Sequence, residues 1–184
     1  MDWQLCETLY RHQCQRLSVS NLPFSPKALV FDFDGVFTDN RVWISEDGVE
    51  SVACNRSDGL RIPELKEAFP GIEILILSKE INPVVTKRAQ KLKIPVLHGV
   101  DDKVRVLSKW LDERNLLWED IVYTGNDLND LVCIQRAGCG IAVQDAYDEV
   151  KQSADIILTR RGGHGAVREI IDIVIALKTN STQI

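Results

Sequence analysis

Asp32 and Asp34 stand two positions apart in Ala28-Leu29-Val30-Phe31-Asp32-Phe33-Asp34-Gly35. The apolar run before them reads as a strand, whose period-two geometry points both carboxylates the same way, and Gly35 lets the chain turn sharply. Two like charges so close need a cation or a shared proton. A hard divalent cation such as Mg²⁺ meets that need and leaves a carboxylate oxygen able to attack phosphorus. Taken alone, D-x-D-G also reads as a plain turn. Further polar residues follow in order: Ser78, Lys103, then Asn126, Asp127 and Asp130 in Gly125-Asn126-Asp127-Leu128-Asn129-Asp130. Ser78 can donate a hydrogen bond to a phosphoryl oxygen, Lys103 can neutralise its charge, and the 126–130 loop can complete a metal shell. Phosphoryl transfer requires this division of labour, because positioning and charge neutralisation supply most of the catalysis. Each residue also has a plainer reading: Ser78 as a helix N-cap, Lys103 as a solvated helix residue, Asp127 or Asp130 as first-turn charges on a helix dipole. Their occurrence together favours the site.

The elements that must position these residues alternate. Short apolar runs at 28–31, 72–77, 95–97, 121–123, 140–143 and 156–158 read as strands buried on both faces. Helix-period segments lie between most of them, at 60–69, 83–92, 102–114, 128–137 and 147–153, and a last helix at 166–178 follows the Gly-rich loop Arg160-Arg161-Gly162-Gly163-His164-Gly165. The expected fold is α/β, a doubly wound parallel sheet. Val42 to Ser45 and Val49 to Cys54, joined by Glu46-Asp47-Gly48, read as a β-hairpin inserted after the first strand, because Asp-Gly between β-prone runs is a strong turn signal. In open α/β sheets ligands bind beyond the carboxyl ends of the strands, where the polar residues above collect.

Composition narrows the setting. The chain has 184 residues, 45% apolar and 27% charged, with a formal net charge of −5, in the range of a single globular domain. No apolar run approaches the ~18 residues a membrane span needs, and the first residues lack a signal peptide's apolar core, so a cytoplasmic protein is expected. No Lys/Arg block suggests nucleic acid. Cys6, Cys14, Cys54, Cys133 and Cys139 are odd in number and form no C-x-x-C pair, which favours reduced, mostly buried thiols over a disulfide framework or zinc site. Residues 1–27 differ in kind, with a possible amphipathic helix over 3–17, and are read as an extension or arm before a domain at 28–178 and a tail at 179–184.

Asp32-Phe33-Asp34-Gly35-Val36-Phe37-Thr38-Asp39, Ser78, Lys103 and the 125–130 loop resemble the four motifs of the haloacid dehalogenase-like (HAD) phosphatases over residues 28–175. The D-G-V-x-T-D opening, the hairpin where others carry a separate cap domain, and the tail Arg161 to Glu169 resemble the 3-deoxy-D-manno-octulosonate 8-phosphate phosphatase branch. That branch includes phosphatases of nine-carbon keto-sugar acid phosphates and HAD-like domains of CMP-sialic acid synthetases. The resemblance implies a Rossmannoid core without a cap, Asp32 as nucleophile and Asp34 as general acid/base. It implies Mg²⁺ held by Asp32, the Asp34 carbonyl and Asn126, phosphate bound by Ser78, Lys103 and Gly35, and support from Asp127 and Asp130. Glu80, Arg88 and Lys91 match positions by which the nine-carbon phosphatases read their substrate across a subunit interface. Arg88 and Lys91, three apart on one helix face, suit a carboxylate and equally suit solvent. The branch's tetramers further imply an interface at Trp43, Ile44 and Val49, and Gly162, Gly163 and Gly165 letting a tail approach a neighbour's site.

Two positions depart from the family pattern. Asn126 stands where the fourth motif has Asp, removing one negative charge from the metal shell, and Lys79 stands where many relatives have Gly. Two readings follow. The first is a Mg²⁺-dependent phosphatase of a 2-keto-3-deoxy sugar acid phosphate of eight or nine carbons. The second, motivated by Asn126, is a weakly or non-catalytic module partnering a sugar-nucleotide synthetase. A response-regulator receiver fits poorly, since Ser78 stands where its acceptor Asp would be.

Overall fold

The computed structural model describes residues 25–181. Six parallel strands form one sheet in the order β5-β4-β1-β6-β7-β8. In chain order these are β1 (Ala28–Phe31), β4 (Glu73–Leu77), β5 (Val96–Leu97), β6 (Ile121–Gly125), β7 (Cys139–Ala142) and β8 (Ile156–Ile157); β2 (Trp43–Ile44) and β3 (Glu50–Ser51) form a separate antiparallel pair. Helices α1 (Ile62–Ala68), α2 (Val84–Leu92), α3 (Lys103–Asp112), α4 (Leu131–Arg136), α5 (Asp148–Ser153) and α6 (Ala166–Ser181) complete the framework.

All four residues of β1 are buried, as expected of a strand covered on both faces. Its central place makes it the strand from which the chain winds to either side. The register decides what emerges there: Phe31 pairs with Ile76 of β4 and with Thr124 of β6. Residues just past those pairs, Asp32, Ser78 and Asn126, therefore leave the sheet together at its carboxyl edge, and the Asp32 N–H donates to the Thr124 carbonyl at 2.9 Å.

The structure shifts several boundaries. The segment expected as a helix from Leu60 follows a 3₁₀ turn, Arg56–Gly59, and becomes helical only at Ile62, with Pro63 in the first turn of α1, where its missing N–H costs nothing. The 128–137 segment splits into a 3₁₀ turn, Leu128–Asp130, and α4. The last helix runs on to Ser181, through the boundary expected at 178. The hairpin pairs over only two residues per strand, and a bridge between Thr38 and Cys54 ties its base to the turn that follows β1. Of the expected arm at 1–27, residues 1–24, with the helix over 3–17, Cys6 and Cys14, lie outside the described residues. Cys133 and Cys139 are buried and unbridged, and Cys54 is half-buried. Among the described residues no helix is long and apolar enough to cross a membrane.

Candidate active site

Asp32 immediately follows β1, buried, and both contacts of its carboxylate fall on Oδ1: the Phe33 N–H at 2.7 Å and Lys103 Nζ at 2.8 Å. Lys103 opens α3, just inside an N-cap where the Asp102 carboxylate accepts the Arg105 N–H at 2.9 Å. The cap turns the helix so that its first residue faces the sheet edge. The same ammonium meets Asp130 Oδ1 at 2.7 Å. Burial opposes the Lys103 charge, yet the carboxylates of Asp32 and Asp130 outweigh it and raise its pKa above the ordinary value. Burial, then the Asp130 charge, push the Asp32 carboxyl up to about 8, against the pull of Lys103. With Asp32 and Asp130 ionised, one ammonium faces two carboxylates, so a net negative charge is enclosed.

Asp130 anchors the loop as well as the lysine. Its Oδ2 accepts the N–H groups of Asn126 at 3.0 Å and Asp127 at 3.3 Å, while Tyr123 donates its hydroxyl to Oδ1 at 2.7 Å. The Asp127 carboxylate caps the 128–130 turn by accepting the Leu128 N–H.

Asp34 is less enclosed. Burial first and the nearby Glu80 charge second raise its pKa, which favours the protonated form a general acid needs. Thr38, fully buried, donates its hydroxyl to Asp34 Oδ1 at 3.4 Å and accepts the Gly35 N–H at 3.1 Å, closing the turn. Gly35 has φ +78°, and a Cβ there would sit 2.1 Å from Asn126 Nδ2. Only glycine admits the Asn126 amide against the turn.

Asn126 Oδ1 is buried without a hydrogen-bond partner. Such an oxygen costs about 1–3 kcal/mol unless something positive meets it. Among the described residues no three His, Cys, Asp or Glu side chains are grouped to hold a metal. The oxygen donors at this edge are instead the carboxylates of Asp32 and Asp34 and the Asn126 amide, a set that fits a hard divalent cation.

Ser78 is buried, and its Oγ accepts the Glu80 N–H at 3.1 Å, which leaves its own hydrogen to donate. The helix-cap reading of Ser78 does not hold: Asn82 Oδ1 takes the Val84 N–H at the start of α2. Glu80 lies close enough to raise the Asp34 pKa, but its Oε1 accepts the N–H groups of Ile81 and Asn82, so it also orders its own loop. Arg88 donates to the Asn55 carbonyl at 2.6 Å, beneath the hairpin, and Lys91 is exposed at the last turn of α2, outside this cluster. Lys79 is exposed beside Asp101. The Gly-rich loop packs on the same chain: a Cβ at Gly162 would lie 1.9 Å from the Gly35 carbonyl oxygen.

Sequence reasoning gave no role to Tyr123 or Asp145, and quoted Thr38 only as part of the D-G-V-x-T-D opening. Tyr123 carried the one available signal, a hydroxyl inside a buried apolar strand, which must find a partner.

Residues 64–170 match the family model described as haloacid dehalogenase-like hydrolase, more than half of the chain. The chain belongs to the haloacid dehalogenase-like hydrolases. Within this HAD family it is 31% identical, over 150 residues, to the 3-deoxy-D-manno-octulosonate 8-phosphate phosphatase of Escherichia coli K12, covering 81% of this chain and 79% of that one. It is also 29% identical over 156 residues to N-acylneuraminate cytidylyltransferase A of Danio rerio, covering 83% of this chain and 35% of that protein, so it spans about a third of that relative. A crystal structure of the octulosonate 8-phosphate phosphatase of Moraxella catarrhalis, in complex with magnesium, phosphate and KDO, superposes with a TM-score of 0.80 at 28% identity, covering 96% of this chain and 95% of that one. The six-stranded parallel sheet with a small antiparallel hairpin is thus a HAD core, and the chain is a phosphatase of that family.

Proposed function

We propose that the chain is a Mg²⁺-dependent phosphatase of a 2-keto-3-deoxy sugar acid phosphate, of the octulosonate 8-phosphate or nonulosonate 9-phosphate type. The observation that carries this is the buried Asp32 carboxylate held 2.8 Å from Lys103, beside the unpartnered Asn126 amide oxygen. Similarity to the octulosonate phosphatases supports the substrate class.

Asp32 and Asn126, with the Asp34 main-chain carbonyl, are the residues that would hold Mg²⁺. Bound there, the cation offsets the charge of the phosphate oxygens and lowers the pKa of the carboxylate beside it. Lys103 and Ser78 hold the phosphoryl group. An Asp32 oxygen attacks phosphorus, and the bond from phosphorus to the sugar oxygen breaks with its electron pair leaving on that oxygen. Asp34 supplies the proton that makes it a hydroxyl. The resulting Asp34 carboxylate takes a proton from water, which attacks phosphorus and releases inorganic phosphate with Asp32 restored. Glu80, Arg88 and Lys91 are assigned to the sugar acid, and the exposed hairpin to contacts within a homotetramer whose sites are shared.

The test is phosphate release from octulosonate 8-phosphate and nonulosonate 9-phosphates with Mg²⁺. Turnover no better than that of Asp32→Asn rejects the reading. A second reading, a weakly or non-catalytic module partnering a sugar-nucleotide synthetase, is favoured by Asn126 and by the cytidylyltransferase similarity. Co-purification with such a synthetase, together with absent turnover, selects it.

A further inference from the structure

The loop between β7 and α5 touches both walls of the candidate cation site. On one side the Tyr147 N–H donates to the Asn126 carbonyl at 3.0 Å. On the other, two residues earlier, Asp145 Oδ1 accepts the Gly162 N–H at 2.9 Å. Gly162 is buried against the catalytic turn, where a Cβ would lie 1.9 Å from the Gly35 oxygen and 2.9 Å from the Thr38 oxygen. The next residue, Gly163, donates its N–H to the Val36 carbonyl at 3.0 Å, and its φ of +68° and a Cβ position 2.5 Å from Asp39 N admit only glycine. The Gly162–Gly163 peptide is therefore a wedge under the turn that carries Asp34 and Gly35. Asp145 holds that wedge from a loop that also grips Asn126.

We propose that Asp145 is a positioning residue that sets the separation between the Asp34–Gly35 turn and the Asn126 amide. This rests on the reading that those groups hold the divalent cation. The bond that matters is the one from Gly162 N–H to Asp145 Oδ1. The second contact of that carboxylate, Arg161 Nε at 3.4 Å from Oδ2, involves an exposed arginine and is dispensable. An amide oxygen at 145 can accept the same N–H, so the role depends on an acceptor and not on charge.

The experiment is direct binding of Mn²⁺, followed by electron paramagnetic resonance, with phosphate release measured in parallel. Asp145→Ala is expected to weaken Mn²⁺ binding about tenfold, the scale of one lost hydrogen bond, and to lower kcat with little change in KM. Asp145→Asn is expected to restore binding to within about twofold of wild type, and Arg161→Ala to leave it there. Gly163→Ala, which disturbs the wedge with Asp145 intact, is expected to reproduce the loss if Asp145→Ala does not fold. Wild-type Mn²⁺ affinity in Asp145→Ala or Gly163→Ala overturns the inference, as does an Asp145→Asn defect equal to that of Asp145→Ala. Wild-type protein that binds no Mn²⁺ overturns the metal reading and this inference with it.

Discussion

Lys103 Nζ lies 2.8 Å from Asp32 Oδ1, with both side chains almost entirely enclosed. The lysine is the only partner shared by Asp32 and Asp130 among their described ion pairs, so it screens two carboxylates that otherwise face each other in a medium of low dielectric. On the proposed reading, stability and catalysis therefore depend on the same ammonium.

Lys103→Met keeps the apolar stem and removes the charge. It is expected to abolish turnover and to cost about 3–5 kcal/mol in urea denaturation, because it leaves two buried acids, Asp32 and Asp130, without their counter-charge. Adding Asp130→Asn to Lys103→Met removes one of them, so most of the lost stability returns while phosphate release does not. A double variant as unstable as Lys103→Met shows that charge balance is not what the lysine supplies.

Asn126→Asp adds a carboxylate at a position whose amide oxygen has no hydrogen-bond partner. The expected outcome is tighter Mg²⁺ binding by about tenfold or more in isothermal titration, since each tenfold is about 1.4 kcal/mol and an added charge at contact with a divalent ion exceeds that. Unchanged affinity means that Asn126 Oδ1 does not face the cation.

The sheet was legible because its central strands are continuous apolar runs, and the site was legible because its residues sit just past the ends of those runs. The short hairpin was readable only as a turn signal: a pairing of two residues per strand leaves little periodicity. Supporting contacts were hidden for a different reason. Asp145 meets Gly162 across 17 positions and Asp58 meets Arg168 across 110, contacts made only when distant segments close on the sheet. Asp127 and Asp130, three apart and identical in type, split into a cap and a lysine anchor, and nothing in spacing alone separates those roles.

Trp43 and Ile44 are 55% and 64% exposed, and Val42 and Val49 beside them are also open, an apolar surface at the hairpin that a lone chain leaves in water. If this surface joins copies of the chain, Ile44→Lys with Trp43→Ser is expected to lower the mass seen by light scattering to that of a monomer. It is also expected to reduce phosphate release by at least about tenfold, as sites assembled between subunits come apart. A double variant that keeps both wild-type mass and activity excludes the hairpin from any interface.

Asp58 contributes a pH dependence to stability. It is fully buried, its Oδ1 accepts the Arg168 N–H at 3.3 Å near the start of α6, and its Oδ2 has no partner. Burial pushes its carboxyl up to about 6, against the Arg168 N–H and the Arg88 charge. A folded pKa above the unfolded value of about 3.9 means that the folded state holds the proton more tightly. The stabilisation is full below about pH 4 and is lost as pH rises through about 6, a change of about 2–3 kcal/mol from this group alone. Asp58→Asn keeps an oxygen for the Arg168 N–H and never ionises. Its melting temperature should therefore exceed that of wild type at about pH 7.5 and converge with it near pH 4. Equal differences at both pH values would show that Asp58 keeps its charge in the fold, held by Arg88.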